Sequence, residues 1–482
     1  MIKQVQRPVH PSRRASDRQA LQRVAPEKAK KIVVVGTGYV GLVSGMGFAE
    51  WGHNVVCVDN NPAIVEMLNN GKVPIYEPGL KRLIDSNVAA GRLSFTMDLA
   101  KAIDGADAAF LAVGTPPRAE GDADLSFVFK AVEQIGAAMT GDLVVVNKST
   151  VPVGTGDEIE QILRAAQPKR RVSVASNPEF LREGAAVKDF LVPDRVVIGV
   201  EDAFAEQVLL GIYAPVSDAG LPILVTKRRT SEIIKYAANS FLAVKIALIN
   251  EFADLCEAAG GDVTDVALAV GLDHRIGMDF LRAGPGFGGS CFPKDTAALL
   301  RTAQEHRVPM RIVESAVSGN HARKRAMAQK VIAALGGSAF RKKVAILGLA
   351  FKANTDDMRD APSIPLVEAL QRAGAIITAY DPEAAERARE LMPDLDIAGD
   401  PYTCATGADV VVIVTGWDMF KTLDLDRLGS LMNQRLMVDL PNLFDPEVPA
   451  SHGFEIYSVG RPEVARIPVA ERPPVPELAD AD

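Results

Sequence analysis

Cys291 closes the run Gly284-Pro285-Gly286-Phe287-Gly288-Gly289-Ser290, and Lys294 and Asp295 follow it closely. Glycines so dense forfeit chain entropy, so such a loop is expected where the backbone bends sharply and something approaches it closely. A thiolate is a strong nucleophile, and neighbouring cations favour that form. A buried cysteine behind a flexible turn is the alternative; the glycines, Lys294 and Asp295 favour a nucleophile. Upstream, Lys235 and Asn239 lie one helical turn apart in an apolar stretch, Thr230 to Ala259, that stops at Gly260-Gly261. Residues so spaced share a helix face. They form either a solvated stripe or two donors aimed at a developing oxyanion, and the Cys291 loop favours the donors.

A second pattern names a cofactor. The β-branched run Lys31–Val35 leads into Gly36-Thr37-Gly38-Tyr39-Val40-Gly41, a helical stretch through Glu50, a second run Asn54–Val58, and Asp59. Strand, glycine turn, helix, strand and acid in that order form a dinucleotide fingerprint. Gly36 makes the turn, Gly38 admits the pyrophosphate, and Gly41 lets the helix pack on the strand. Tyr39 and Val40 open the helix whose N-terminus faces the phosphates. Asp59 would accept from the ribose hydroxyls and repel a 2′-phosphate, which favours NAD. Further strands at Ala108–Val113, Leu143–Val146 and Val172–Ala175 end in polar loops carrying Thr115, Thr150, Glu179 and Glu183. Such loops line ligand sites in open α/β sheets, although turn chemistry also selects these residue types. A later alternation of strands at Lys343–Leu349, Ile376–Tyr380, Val410–Val414 and Leu436–Val438 reads as a smaller α/β domain without the full fingerprint. Lys352 and Arg359 follow its first strand and suit phosphate contact.

The expected architecture is α/β, with two Rossmann-like doubly wound domains joined by a long central helix and a helical middle region. The expected divisions are a disordered basic arm over 1–30, an NAD-binding domain over 31–228, and a central helical domain over 229–335. A C-terminal domain over 336–460 and a disordered tail over 461–482 complete the chain. Its 482 residues exceed a single core. A net charge of −8 argues against a nucleic-acid partner. No apolar run is long enough for membrane insertion, and no signal-peptide core opens the chain, so a cytoplasmic protein is expected. Cys57, Cys256, Cys291 and Cys404 show neither disulfide nor zinc spacing. No metal is expected, and all but Cys291 read as small buried hydrophobes.

The parts share a chemical logic. Oxidising an alcohol to an aldehyde needs only NAD and a base. Carrying the aldehyde on to an acid needs a tetrahedral adduct, because an aldehyde carbon has no readily transferable hydride. Cys291 would form a thiohemiacetal, whose oxidation gives a thioester that water cleaves.

The chain resembles the UDP-glucose 6-dehydrogenase family, within the UDP-glucose/GDP-mannose dehydrogenases, from Lys31 to Pro462. The matching stretches are the Gly36 fingerprint, Pro74–Gly79, Val113–Pro116, Lys148–Pro152, Asn177–Leu181, Lys235–Asn239, the Cys291 loop and Phe351–Arg359. The resemblance implies Cys291 as nucleophile. It implies Lys235 and Asn239 as oxyanion donors that handle the alcohol proton, Asp295 and Thr150 as holders of a water, and Glu179 as an aid to thioester hydrolysis. NAD contacts are implied at Asp59, Thr115, Thr150, Glu183, Lys294 and Arg359. Contacts to UDP-glucose are implied at Glu179, Phe180, Leu181, Arg182, Glu183, Lys235 and Asn239. The same holds for Phe280, Leu281, Arg282, Ala283, Gly284, Gly288 and Lys352. Arg275 would reach a neighbouring subunit's substrate, which implies a homodimer or larger homo-oligomer. Ile64 and Pro441 depart from the family pattern, each standing where relatives often carry a basic residue. The alternatives are a GDP-mannose 6-dehydrogenase, a single-step alcohol dehydrogenase without need of Cys291, and a nucleotide-binding regulatory protein.

Overall fold

The computed structural model describes residues 3–4, 21–118 and 121–462. The chain divides into two compact units. One holds the residues up to Asn239 together with Lys294–Pro309, and the other holds Ser240–Pro293 and the chain from Met310 onward. The middle helical segment is shared between them.

The first unit is built on a nine-stranded sheet. Its core order is Leu93–Thr96, Asn54–Val58, Lys31–Val35, Ala108–Leu111, Leu143–Asn147 and Val172–Ser176, all parallel. Counted along the chain this is order 3-2-1-4-5-6, the doubly wound arrangement. Strands Val196–Gly199 and Ile223–Thr226, which had not been expected, extend the sheet beyond Val172–Ser176. Leu143–Asn147 and Val172–Ser176 are buried at every position, as a parallel sheet covered on both faces requires. The helix Tyr39–Glu50 lies unusually close to its neighbours. A Cβ on Gly45 would meet Cys57 Sγ at 2.4 Å, and one on Gly47 would meet the Phe190 ring at 2.0 Å.

The second unit carries a six-stranded, wholly parallel sheet. Its order is Asp396–Ile397, Ile376–Tyr380, Lys343–Leu347, Val410–Ile413, Leu436–Asp439 and Glu455–Ser458, again 3-2-1-4-5-6. The first and last of these strands were not anticipated. Both units are thus Rossmann-like, as the alternating pattern implied.

The long helix runs from Arg228 to Ala259, 32 residues. Gly260 ends it in the left-handed region (φ 78°), with the N–H groups of Gly260 and Gly261 both returning to the Cys256 carbonyl.

Of the arm expected to be unstructured, residues 1–2 and 5–20 lie outside the described residues. Lys3–Gln4 pairs antiparallel with Leu224 and Val225. From Leu21 the expectation is corrected: Val24 N–H donates to Trp51 O at 2.9 Å, and the Arg23 guanidinium pairs with Glu50 at 2.6 Å. Main-chain pairing of this kind leaves no polarity or charge signal in a basic stretch. Of the expected tail, residues 463–482 lie outside the described residues, while the Arg461 guanidinium donates to Phe444 O at 2.9 Å.

Phe48 centres an aromatic cluster in the first unit. Its ring centroid lies 4.7 Å from Phe110, 5.2 Å from Phe190, 5.8 Å from Tyr213 and 6.0 Å from Trp51. Phe48→Ala should therefore destabilise this unit by roughly 3–5 kcal/mol. A urea-denaturation midpoint unchanged from wild type would show that the cluster collapses without cost.

Candidate active site

The glycine turn of the first unit is shaped as the fingerprint requires. Gly36 has φ 99°, and a Cβ there would meet Ala112 O at 2.7 Å. A Cβ on Gly41 would lie 1.9 Å from Gly36 O, so that position is closed to any side chain. Gly38, by contrast, has nothing within 4 Å of its Cβ direction, and the helix it precedes has no side-chain cap. An open glycine before an uncapped helix N-terminus is a cradle for a pyrophosphate. Asp59 Oδ2 accepts from Thr37 N (2.8 Å) and Thr37 Oγ1 (2.6 Å), and Oδ1 accepts from Asn61 N at 3.0 Å. A carboxylate has about four acceptor positions, so Oδ1 keeps capacity for a ribose hydroxyl. These residues fit a dinucleotide. Ile64 packs against the apolar core of this unit.

The polar loops gather around the first half of the long helix. Lys235 Nζ donates to Glu179 Oε1 and Glu179 O, both at 2.8 Å. Asn239 Nδ2 donates to Asp295 Oδ2 at 2.6 Å, and Lys294 Nζ donates to Asp295 Oδ1 at 2.7 Å and to Thr115 Oγ1 at 3.5 Å. Thr115 Oγ1 in turn donates to Thr150 O at 3.0 Å. The expected donor pair thus sits between two carboxylates, Glu179 at 6% exposure and Asp295 at 1%. Burial alone would raise the Glu179 carboxyl, but the Lys235 ammonium and the Leu181 N–H outweigh it and hold the group below the usual carboxylate range. The ring of Phe180 is close to two cations, with the Arg195 guanidinium 3.7 Å and the Lys235 ammonium 5.6 Å from its centroid. Arg182 forks onto Asp189 at 2.7 and 2.9 Å. Glu183 is buried nearby in sequence.

Three further residues order this site without having been singled out. Glu77 accepts from the Tyr39 phenol, from Gly184 N at 2.7 Å and from Ala186 N at 2.8 Å, tying the glycine-turn helix to the Glu179 loop. Glu232 accepts from Gly154 N (2.7 Å) and Gly156 N (2.9 Å), seating the long helix on the N-terminus of Thr155–Ala166. Lys148 is buried against Asn177, whose Oδ1 accepts from it at 3.1 Å. Desolvation pushes this ammonium down to about 8. Glu77 and Lys148 lie inside family-like stretches, and Glu232 stands three residues before Lys235; those were the available signals.

The second unit carries Cys291 and the remaining predicted contacts. Cys57, Cys256 and Cys404 are buried, and Cys291 alone is partly exposed. Burial pushes the Cys57 and Cys404 thiols up to about 12. Cys291 lies 3.4 Å from Ser290 Oγ and directly precedes the helix Phe292–Glu305, where a helix dipole stabilises negative charge. The glycines before it serve packing within their own unit as well as any ligand. A Cβ on Gly286 would meet Asn320 Oδ1 at 2.8 Å, and one on Gly288 would meet Asp360 O at 2.4 Å. On Gly289 it would strike the Phe351 ring at 2.6 Å. Gly284 is less crowded, with its nearest neighbours at 3.8 Å. Phe280 holds a left-handed φ of 66°, and Leu281 and Ala283 are buried. Arg282 donates to the carbonyls of Pro441 (3.0 Å) and Asn442 (2.9 Å). Lys352 lies over the Phe351 ring. Arg359 and Arg275 are largely exposed, forked onto Asp357 and Asp273 respectively.

Comparison with known proteins places the chain in a family. Residues 30–217 match the NAD-binding domain of the UDP-glucose/GDP-mannose dehydrogenase family, 229–322 its central domain, and 345–446 its UDP-binding domain. The chain belongs to the UDP-glucose/GDP-mannose dehydrogenase family. It is 56% identical over 436 residues to a UDP-glucose 6-dehydrogenase of Rhizobium meliloti, covering 90% of this chain and 100% of that protein. It is 43% identical to a UDP-glucose 6-dehydrogenase of Bacillus subtilis, covering 90% of this chain and 94% of that one. The structure of a UDP-glucose dehydrogenase from Pyrobaculum islandicum matches with a TM-score of 0.81 at 40% identity, over 86% of this chain and 94% of that one. Membership makes this chain an NAD-dependent oxidoreductase. Among the described residues no helix is long and apolar enough to cross a membrane.

Two outcomes test the site. Gly41→Ala should force the turn open and weaken NAD binding about tenfold or more by calorimetry; unchanged affinity would remove the turn from the cofactor site. Lys148 is charged in the unfolded chain up to its ordinary value near 10.5 but sheds its proton when folded above about 8. Folding stability should therefore rise with pH across that interval. The Lys148→Met variant should lack this increment in urea midpoints, and a rise that survives the substitution would place the buried charge elsewhere.

Proposed function

We propose that this chain oxidises UDP-glucose to UDP-glucuronate, reducing two NAD per sugar through a thioester on Cys291. The substrate rests on relatives such as the 56%-identical UDP-glucose 6-dehydrogenase and on the match to the family's UDP-binding domain. The chemistry rests on one observation. Cys291 is the sole cysteine that is not buried, and it stands at a helix N-terminus.

Bound NAD supplies the hydride acceptor for both oxidations. In the first, the C6 hydroxyl gives its proton to a water held by Thr150 and Asp295, and C6 loses a hydride, leaving the aldehyde. The Cys291 sulfur then forms a bond to the aldehyde carbon while the carbonyl pair moves to oxygen. Lys235 and Asn239 receive that oxyanion, and protonation gives the thiohemiacetal. Loss of the second hydride and the hydroxyl proton leaves a thioester. Water attacks it with Glu179 taking the proton, the C–S bond breaks, and the carboxylate departs with the thiolate restored. When Lys235 turns to the oxyanion, Glu179 loses its cation partner and becomes a better base.

We further propose a homodimer or larger homo-oligomer. Beyond Asn239 the long helix exposes Phe241, Leu248, Phe252 and Leu255, at 68, 50, 42 and 58%. Their spacing of seven, four and three residues is that of a helix seam. Such a stripe suits a second copy of the chain, and Arg275 lies exposed in the same unit.

NADH formed per UDP-glucose consumed is the deciding measurement. Wild type should give two, and Cys291→Ala should stop short of the acid. One NADH, unaffected by the substitution, would sink the thioester route and leave a simple alcohol dehydrogenase. Two NADH with GDP-mannose and no turnover with UDP-glucose would keep the chemistry and move the specificity.

A further inference from the structure

The Cys291 loop has no regular secondary structure between Leu281 and Cys291, yet its backbone is held by buried side chains from two helices. On the helix Arg311–Ala334, residues Asn320, Arg323 and Lys324 fall at i, i+3 and i+4 and so share one face. All three are buried, at 2, 6 and 3% exposure. The Asn320 amide meets Phe287 twice: Oδ1 accepts from Phe287 N at 2.8 Å, and Nδ2 donates to Phe287 O at 3.0 Å. Arg323 Nε donates to Gly284 O at 3.1 Å, while its other arm pairs with Asp254. From the long helix, Asn250 Oδ1 accepts from Gly284 N at 2.9 Å. Lys324 Nζ donates to Asp360 O at 2.8 Å, and Gly289 N donates to Arg359 O at 2.7 Å, holding the loop's far end to the neighbouring segment.

We propose that Asn320, supported by Arg323 and Asn250, is a positioning residue that holds the Cys291 loop in register for the thiol step. The two-point contact resembles one rung of a β-ladder made by a side chain. It fixes both the height and the rotation of the Phe287 peptide, four residues before the sulfur. Gly286 is part of the same device, since a Cβ there would lie 2.8 Å from Asn320 Oδ1 and push the amide away. The bond pair is internal to the unit and touches neither the cofactor turn nor Lys235. Its loss should therefore separate the two oxidations. The first, which needs no thiol, continues; the second, which needs the sulfur placed against the aldehyde carbon, falters. This inference rests on the reading of Cys291 as nucleophile.

The experiment measures NADH per UDP-glucose, aldehyde trapped with hydroxylamine, and the rate of iodoacetamide labelling at Cys291. Wild type, Cys291→Ala, Asn320→Ala and Leu366→Ala are compared. Leu366→Ala opens a cavity in the same unit's core, on a helix that makes none of the bonds to Phe287 or Gly284 named above, and controls for general destabilisation. Asn320→Ala should release trappable aldehyde, bring the NADH ratio from two toward one, slow the full reaction about tenfold to a hundredfold, and change the labelling rate. Leu366→Ala should keep the ratio at two. A ratio of two for Asn320→Ala, or an equal fall in Leu366→Ala, overturns the positioning role. Cys291→Ala still giving two NADH would instead overturn the thioester reading itself, and this proposal with it. Should Asn320→Ala not fold, Asn320→Asp keeps the acceptor toward Phe287 N–H and loses the donor. A ratio below two then supports the role, and a ratio of two overturns it.

Discussion

Four polar side chains on one face of a single helix, Arg228, Glu232, Lys235 and Asn239, are buried to 6% exposure or less. Burial of such groups is costly unless each finds a partner, and the partners come from three segments. Arg228 meets Asp157 and Glu160; Glu232 meets the N–H groups of Gly154 and Gly156. Lys235 meets Glu179, and Asn239 meets Asp295. The helix can therefore lie on its sheet in only one register. That register delivers the loops after two successive strands, Leu143–Asn147 and Val172–Ser176, and Asp295 near the start of the Phe292–Glu305 helix, to the same helix face. Scaffold and candidate site share these contacts: Lys235 and Asn239 are each held by a buried carboxylate.

The two sheets show how one topology is put to two uses. Each has an aspartate at the end of its second strand that braces the turn after its first. Asp59 holds Thr37 and keeps an acceptor position open beside an unobstructed Gly38. Asp381 accepts from Leu349 N, Ala350 N and the Trp417 indole on one oxygen, and from Glu383 N and Ala384 N on the other. Its acceptor capacity is consumed by the fold. The next helix begins at Ser363, whose hydroxyl donates to Leu349 O at 2.6 Å, so the start of that helix is itself tied into the turn. The turn without the full glycine fingerprint thus also lacks a spare acceptor on its aspartate, on a strand order that is otherwise the same.

Much of this was legible in the amino-acid sequence because it is local. Glycine spacing, strand-length apolar runs and the terminal Asp59 specify a dinucleotide turn within some thirty residues. The long helix was readable from its length and its Gly260 stop. Short strands such as Leu93–Thr96, Val196–Gly199 and Glu455–Ser458 were not, since each owes its state to a neighbour already in the sheet. The contacts made just after Leu21 were hidden for the same reason: a main-chain bond from Val24 to Trp51 has no residue-type signature.

What the sequence determined by itself is the chemistry on offer: a thiol at the end of a glycine-rich loop, an ammonium–amide pair one turn apart, and a glycine turn with the dinucleotide spacing. The periodicity that yields two doubly wound sheets was also its own. Only the tertiary structure decided how those groups are held. Lys235 and Asn239 are poised between Glu179 and Asp295 rather than bare, Glu77 joins the cofactor turn to the Glu179 loop, and the glycines before Cys291 make room for Asn320 and Phe351. The reason is physical. Residue type sets what a group can donate, accept or attack, but the partner that satisfies a buried group is chosen by packing between segments far apart in the chain.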